Sequence, residues 1–369
     1  MLRSRVVPVV ERPQVAGSDL LEVDGLTVSF HTREGVVRAV SDVSFSLARG
    51  ERLAIVGESG SGKSVMSMAL MQMVARGGAI DRGEVVLNGR NVLGLSNDKL
   101  RSVRGAEVAM VFQDPTTSLN PVMRVSNQMI RPMRHHLGLS SGEARARAVS
   151  LLAGTGIPDP ERNVDSYPHQ LSGGMRQRVM IAMAISCKPS LLIADEPTTA
   201  LDVTIQAQIV ALLKRISDEQ GSSVIFVTHD MGLVARFAHR VAVMYAGRIV
   251  EIGSVDELFA NPQHPYTKGL LGSIPSIEGA LPERLTQIPG LPPNLATLGA
   301  GCPFAARCGE AVERSVDERP ALREVRPGHS VACWVAQADA GLPAGSTAAS
   351  STPIHLGRTI DITETAGVG

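Results

Sequence analysis

Gly57-Glu58-Ser59-Gly60-Ser61-Gly62-Lys63-Ser64 decides the fold of this chain. The stretch fits G-x-x-x-x-G-K-[ST], a glycine-rich loop whose backbone N–H groups cradle phosphates. Its flanks suit that role. Leu53-Ala54-Ile55-Val56 upstream reads as a buried strand, and Val65 to Val74 downstream reads as a continuous helix. Strand, glycine turn and helix N-terminus together aim N–H groups and the positive end of a helix dipole at an anion. Glycines let the backbone wrap a phosphate without Cβ clashes. Lys63 then supplies charge to the β- and γ-phosphates, and Ser64 offers its hydroxyl to Mg²⁺.

A second apolar run, Leu191-Leu192-Ile193-Ala194, ends in Asp195-Glu196. Near-continuous hydrophobicity marks a parallel strand covered on both faces. Acidic residues at its carboxyl end stand where open α/β sheets place ligands. Asp195 suits Mg²⁺, and Glu196 suits an attacking water, because phosphoryl transfer needs positioning and charge stabilisation. Between the two motifs lies Leu171-Ser172-Gly173-Gly174-Met175-Arg176-Gln177-Arg178. These residues fit either a second anion site at a helix N-terminus or a plain N-cap serine.

Taken in order, the motifs resemble those of the ATP-binding subunit of an ABC transporter. Gly57–Ser64 matches Walker A, and Gln113 in Phe112-Gln113-Asp114-Pro115 matches the Q-loop. Leu171–Met175 matches the signature, with Met175 in place of the commoner Gln. Leu191–Glu196 matches Walker B, Thr199-Ala200-Leu201-Asp202 the D-loop, and His229 in Val227-Thr228-His229-Asp230 the switch histidine. The resemblance spans about Leu21 to Gly253. It implies an α/β cassette with a RecA-like parallel sheet core, an antiparallel β layer and a helical subdomain over about 116–185.

The resemblance also implies roles. Gly57, Ser59, Gly60, Ser61, Gly62, Lys63 and Ser64 would bind ATP, while Ser64, Gln113 and Asp195 would hold Mg²⁺. Glu196, His229 and Gln113 would be catalytic. Two cassettes would meet head to tail, so Ser172, Gly173 and Gly174 would contact ATP held by a partner and Asp202 would communicate across the pair. The family's aromatic adenine contact has Phe30 and His31 as its nearest matches, and that position stays open.

The cassette is followed by Asn261-Pro262-Gln263-His264-Pro265-Tyr266-Thr267, a proline-rich stretch with Ile288-Pro289-Gly290-Leu291-Pro292-Pro293, Gly301-Cys302-Pro303-Phe304-Ala305-Ala306-Arg307-Cys308, and Gly328-His329-Ser330-Val331-Ala332-Cys333. This series resembles the C-terminal extension of the oligopeptide, dipeptide and nickel uptake subfamily. Tyr167–Gln170 and Met175–Arg178 agree with it. An importer subunit for peptides is therefore expected, with nickel or another solute as the alternative. The implied partners are a second ATPase subunit, two membrane permeases and an extracytoplasmic solute-binding protein. Some subfamily members hold an iron–sulfur cluster on four cysteines here. This chain offers Cys302, Cys308 and Cys333, with Ser315 at the remaining position and His329 as a substitute ligand. A cluster or zinc is the sharper reading, and reduced structural cysteines the plainer one.

Composition bounds the rest. The 369 residues suffice for one sizeable core and an appendage. Lys plus Arg and Asp plus Glu both number 36, so no basic field recruits nucleic acid. That balance, the single motif set and the lack of a heptad run count against a soluble ABC protein of DNA repair or translation. No apolar run approaches the roughly 20 residues of a membrane span, and no secretory leader is evident. The expected location is the cytoplasmic face of the membrane, held there through partners. Expected boundaries are a leader at 1–19, the cassette at 20–260, the extension at 261–335 and a disordered tail at 336–369. Cys187, placed in the helix after the signature, and the methionines Met66, Met68, Met71, Met73, Met180 and Met183 read as core, and His135-His136 as a solvated helix end.

Overall fold

The structure is a computed structural model that describes residues 19–33, 35–199, 201–273 and 288–343. The chain opens with a long antiparallel pair, β1 (Asp19–Thr32) and β2 (Gly35–Ala48). The alternation Val43-Ser44-Phe45-Ser46-Leu47 buries Val43, Phe45 and Leu47, as the period of two requires. The buried strand β3 (Arg52–Val56) feeds the glycine loop and helix α1 (Lys63–Leu70). Strands β4 (Gly78–Leu87) and β5 (Arg90–Asn91) return to the first layer, which runs β2-β1-β4-β5. Helix α2 (Asn97–Val103) leads into β6 (Val108–Val111), which ends two residues before Gln113.

Five helices follow before the next strand: α3 (Pro115–Ser118), α4 (Val125–Leu137), α5 (Ser141–Gly154), α6 (Pro160–Asn163) and α7 (Gly173–Ala184). Their ends are written in the sequence. Gly138 stops α4 with φ 66°, and Ser140 with Glu143 forms a reciprocal capping box at the start of α5. Met129, Met133, Ala144, Ala148 and Leu152 give this region its own apolar core. The remaining cassette elements are β7 (Leu191–Asp195), α8 (Val203–Gln220), β8 (Ser223–Thr228), α9 (Met231–Phe237), β9 (Arg240–Tyr245), β10 (Arg248–Ser254) and α10 (Val255–Ala260). Beyond them lie α11 (Pro265–Gly272), α12 (Arg314–Asp317), β11 (Arg323–Arg326), β12 (His329–Val331) and α13 (Trp334–Asp339).

The second sheet has the order β11-β12-β10-β9-β3-β8-β7-β6. Strands β9, β3, β8, β7 and β6 are parallel, so the carboxyl ends of β3, β6, β7 and β8 open on one edge. The strands β10, β12 and β11 continue it antiparallel. Glu251 pairs with Val331 and Ile252 with Ser330, so the extension is stitched directly onto the cassette's sheet.

Three expectations are corrected. The helix after the glycine loop ends at Leu70 rather than Val74, because Gln72 takes φ 52° as the chain turns toward β4. Cys187 is buried but follows α7 instead of lying within it. Residues from 336 do not begin an unstructured tail, since Trp334–Asp339 is helical and Gln337 Nε2 donates to the carbonyls of Ala321 and Val331. Most of the expected leader, and the tail beyond 343, lie outside the described residues.

Candidate active site

The glycine loop joins the end of β3 to α1. Lys63 is buried, and its ammonium donates to the carbonyls of Gly57 (2.8 Å) and Glu58 (2.9 Å). Gly57 and Gly62 are required by contact as well as by φ. An added Cβ would stand 2.1 Å from the Met244 carbonyl oxygen at Gly57 and 2.2 Å from the Ala39 carbonyl oxygen at Gly62. Ser61 Oγ is buried with no hydrogen-bond partner among the described residues, the kind of group a phosphate oxygen can satisfy.

Parallel pairing brings the loop to the end of β7. Ser64 Oγ donates to Asp195 Oδ1 at 3.0 Å. A hydroxyl and a carboxylate oxygen side by side form a hard donor set that fits Mg²⁺, which binds few protein ligands and keeps substrate phosphates and waters. Burial pushes the Asp195 carboxyl up, opposed by the Ser64 hydrogen bond, while Glu196 raises it and Lys63 lowers it. Burial pulls the Lys63 ammonium down, against Glu196, Asp195 and Glu58.

Glu196 follows in a left-handed conformation with φ 44°, unusual for a side chain of this size. Three polar groups converge on its Oε2. The Thr199 hydroxyl donates at 2.9 Å, Gln113 Nε2 donates at 3.3 Å, and His229 Nδ1 lies 3.5 Å away. His229 is 62% exposed and Glu196 15%, so the carboxylate is recessed beneath an open imidazole. Lys63, Ser64, Gln113, Asp195, Glu196 and His229 thus come together, as the motif order led one to expect.

The other motif residues face elsewhere. Ser172 is exposed at the start of α7, and its hydroxyl accepts from Met175 N at 3.3 Å. Gly173 and Gly174 form the first turn of that helix. Asp202 caps α8 by accepting from Ile205 N at 2.9 Å. Phe30 packs against Val74 and Gly78 at the edge of the core, whereas His31 is exposed.

Sequence reasoning missed four contributors. Thr199 holds Glu196, and its neighbourhood after Walker B was a legible hint. Glu58, Tyr266 and Arg307 form a polar group against the glycine loop through contacts too remote in sequence to read. Tyr266 accepts from Glu58 N at 2.8 Å, and Arg307 makes a two-pronged pair with the Glu58 carboxylate.

Of the two readings of the cysteines, the cluster or zinc one finds no support. Cys302, Cys308, Cys333 and Ser315 do line one small cavity with His264 and Trp334. His329, the substitute ligand, is instead committed to Glu251 at 2.7 Å. Burial pushes all three thiols up. Among the described residues no group of three or more His, Cys, Asp or Glu side chains is arranged to hold a metal ion. A cluster or zinc at these residues is therefore not supported.

A glycine loop on a parallel sheet, a carboxylate pair at the end of the next strand but one and an antiparallel layer above define a P-loop nucleotide-binding cassette. The chain belongs to the ABC transporter family. A family model described as ABC transporter matches residues 40–199, and one described as oligopeptide/dipeptide transporter, C-terminal region, matches residues 250–314. The chain is 50% identical over 322 residues to the dipeptide transport ATP-binding protein DppD of Lactococcus lactis subsp. cremoris, covering 87% of this chain and 92% of that one. It is 51% identical to the oligopeptide transport ATP-binding protein OppD of Bacillus subtilis, covering 87% of this chain and 90% of that protein. Among solved structures it resembles the dimeric ATP-binding cassette MJ0796 in a post-hydrolysis state bound to ADP and Pi. That similarity has a TM-score of 0.58 at 29% identity, covering 64% of this chain and 98% of the other.

Proposed function

We propose that this chain is the ATP-hydrolysing subunit of a peptide importer, working beside a second cassette on two membrane permeases supplied by an extracytoplasmic peptide-binding protein. The observation that carries the catalytic reading is the convergence of Thr199, Gln113 and His229 on one oxygen of Glu196. The peptide reading rests on the relatives and on the match of the C-terminal region.

Lys63 and the loop N–H groups would bind the β- and γ-phosphates. A magnesium ion held by Ser64 and Asp195, with Gln113 close by, would neutralise phosphate charge. Glu196 would accept a proton from the attacking water, with Thr199 and Gln113 fixing the carboxylate and His229 placed to stabilise charge on the γ-phosphate. Ser172, Gly173 and Gly174 would complete the site of a partner cassette, and Asp202 would lie at that contact. No helix among the described residues is long and apolar enough to cross a membrane. The chain would therefore sit peripherally on the cytoplasmic face, through the permeases.

Glu196→Gln tests the assignment. It should bind ATP like the wild type yet release phosphate at least about 100-fold more slowly, the usual contribution of a positioned general base. Undiminished phosphate release would remove Glu196 from the chemistry.

A further inference from the structure

Glu58 sits second in the glycine loop and is gripped by residues from outside the cassette core. The Arg307 guanidinium donates to Glu58 Oε2 at 2.7 Å and Oε1 at 3.0 Å, across 249 positions of sequence. Its side chain is only 6% exposed, against 26% for Glu58. Arg307 Nε also donates to the Pro289 carbonyl at 2.8 Å, and Nη1 lies 3.3 Å from the Tyr245 hydroxyl. The guanidinium is held over the rings of Tyr245 and Phe304. The neighbouring Tyr266 hydroxyl accepts from the Glu58 N–H, and the Glu58 carbonyl accepts from Lys63. One residue therefore links the extension to the lysine of the phosphate cradle.

Charge gives this link a consequence. Glu58 is one of the three carboxylates that act on Lys63. An unpaired carboxylate there would repel a triphosphate in a half-buried site, where screening is weak. A bidentate arginine both cancels the charge and fixes its direction.

We propose that Arg307 is a positioning residue for ATP: as counter-charge to Glu58 it turns that carboxylate away from the phosphate cradle. The C-terminal extension then sets nucleotide affinity. This inference rests on the nucleotide reading above, and its test separates the two. Binding of fluorescent ATP and ADP analogues to the full-length chain is measured with Mg²⁺, using Lys63→Ala to confirm the site. Arg307→Ala should weaken ATP binding about tenfold, and ADP less, because the repulsion grows with ligand charge. Adding Glu58→Gln to Arg307→Ala should recover affinity to within about threefold of the wild type, a non-additive rescue that lost packing would not produce. Arg307→Met keeps the stem and serves the same comparison if the alanine variant does not fold. ATP affinity within about twofold of wild type in the Arg307 variant, or a double variant no better than the single, overturns the inference alone. Absent ATP binding by the wild-type chain overturns the nucleotide reading along with it.

Discussion

At Gly62 the backbone of the phosphate loop passes under the antiparallel layer with no room for a methyl group. Its φ is 101°, and an added Cβ would stand 2.2 Å from the Ala39 carbonyl oxygen and 3.0 Å from Met244 Cε. Gly60 also has positive φ, at 77°, but nothing lies within 4 Å of its virtual Cβ. Two glycines of one motif therefore differ: Gly62 permits packing, and Gly60 faces open space where a phosphate would approach. Gly62→Ala should lose at least about 2 kcal/mol in urea unfolding, from strain and overpacking together. Gly60→Ala should lose only about 1 kcal/mol, the usual left-handed penalty, while still impairing ATP binding. Equal losses of stability would contradict this division. At this scale the sequence was informative wherever chemistry is local. Lys63 with Ser64, and Asp195 with Glu196, announce themselves because each pair sits inside one contiguous motif. Arg307 did not, because an arginine's partner 249 residues away leaves no local pattern.

Among the elements, the seam between β10 and β12 governs how the extension is held. Glu251 is fully buried there, accepting from Gln263 N at 2.7 Å and His264 N at 2.9 Å, with His329 Nε2 at 2.7 Å. Burial alone would raise its carboxyl, but the hydrogen bonds from His329 and the two backbone amides hold the group below its ordinary value. His264 is buried, and its Nδ1 accepts from Tyr266 N at 3.0 Å, which requires that nitrogen to be unprotonated. Burial lowers its pKa to about 4. The unfolded chain then takes up this proton first, near pH 6.5. Stability from neutral His264 is fully present above that pH and is lost as pH falls toward 4, by roughly 2 kcal/mol at pH 5. Glu251 acts at lower pH, its contribution failing only below the ordinary carboxylate range. Melting temperatures at pH 7.5 and 5 should therefore fall further for the wild type than for His264→Asn. Parallel falls would rule His264 out as the cause. The apolar strands β3 and β7 were legible because every residue in them is buried and nearly every one is apolar. The strand β12 spans only His329–Val331, too short for any period to show. Helix α13 was obscured because its alanines blend into the Ala-, Gly- and Ser-rich sequence beyond it.

Across the whole molecule the candidate site residues fall into two separate groups. Lys63, Ser64, Asp195, Glu196, Gln113 and His229 meet within the chain, whereas the side chains of exposed Ser172 and Asp202 cap their own helices. Such a distribution suits a unit that functions against a second copy or a sister cassette. The cassette was readable from ordered motifs. The attachment of the extension to both sheet and phosphate loop was not, since it depends on tertiary pairing. The central claim is that this ATPase serves a peptide importer. Its most direct test is to isolate the tagged Glu196→Gln chain from membranes in ATP and identify what accompanies it. A second cassette, two permease subunits and a peptide-binding protein are predicted. Ribosomes, DNA-repair proteins or the absence of any membrane partner would contradict it.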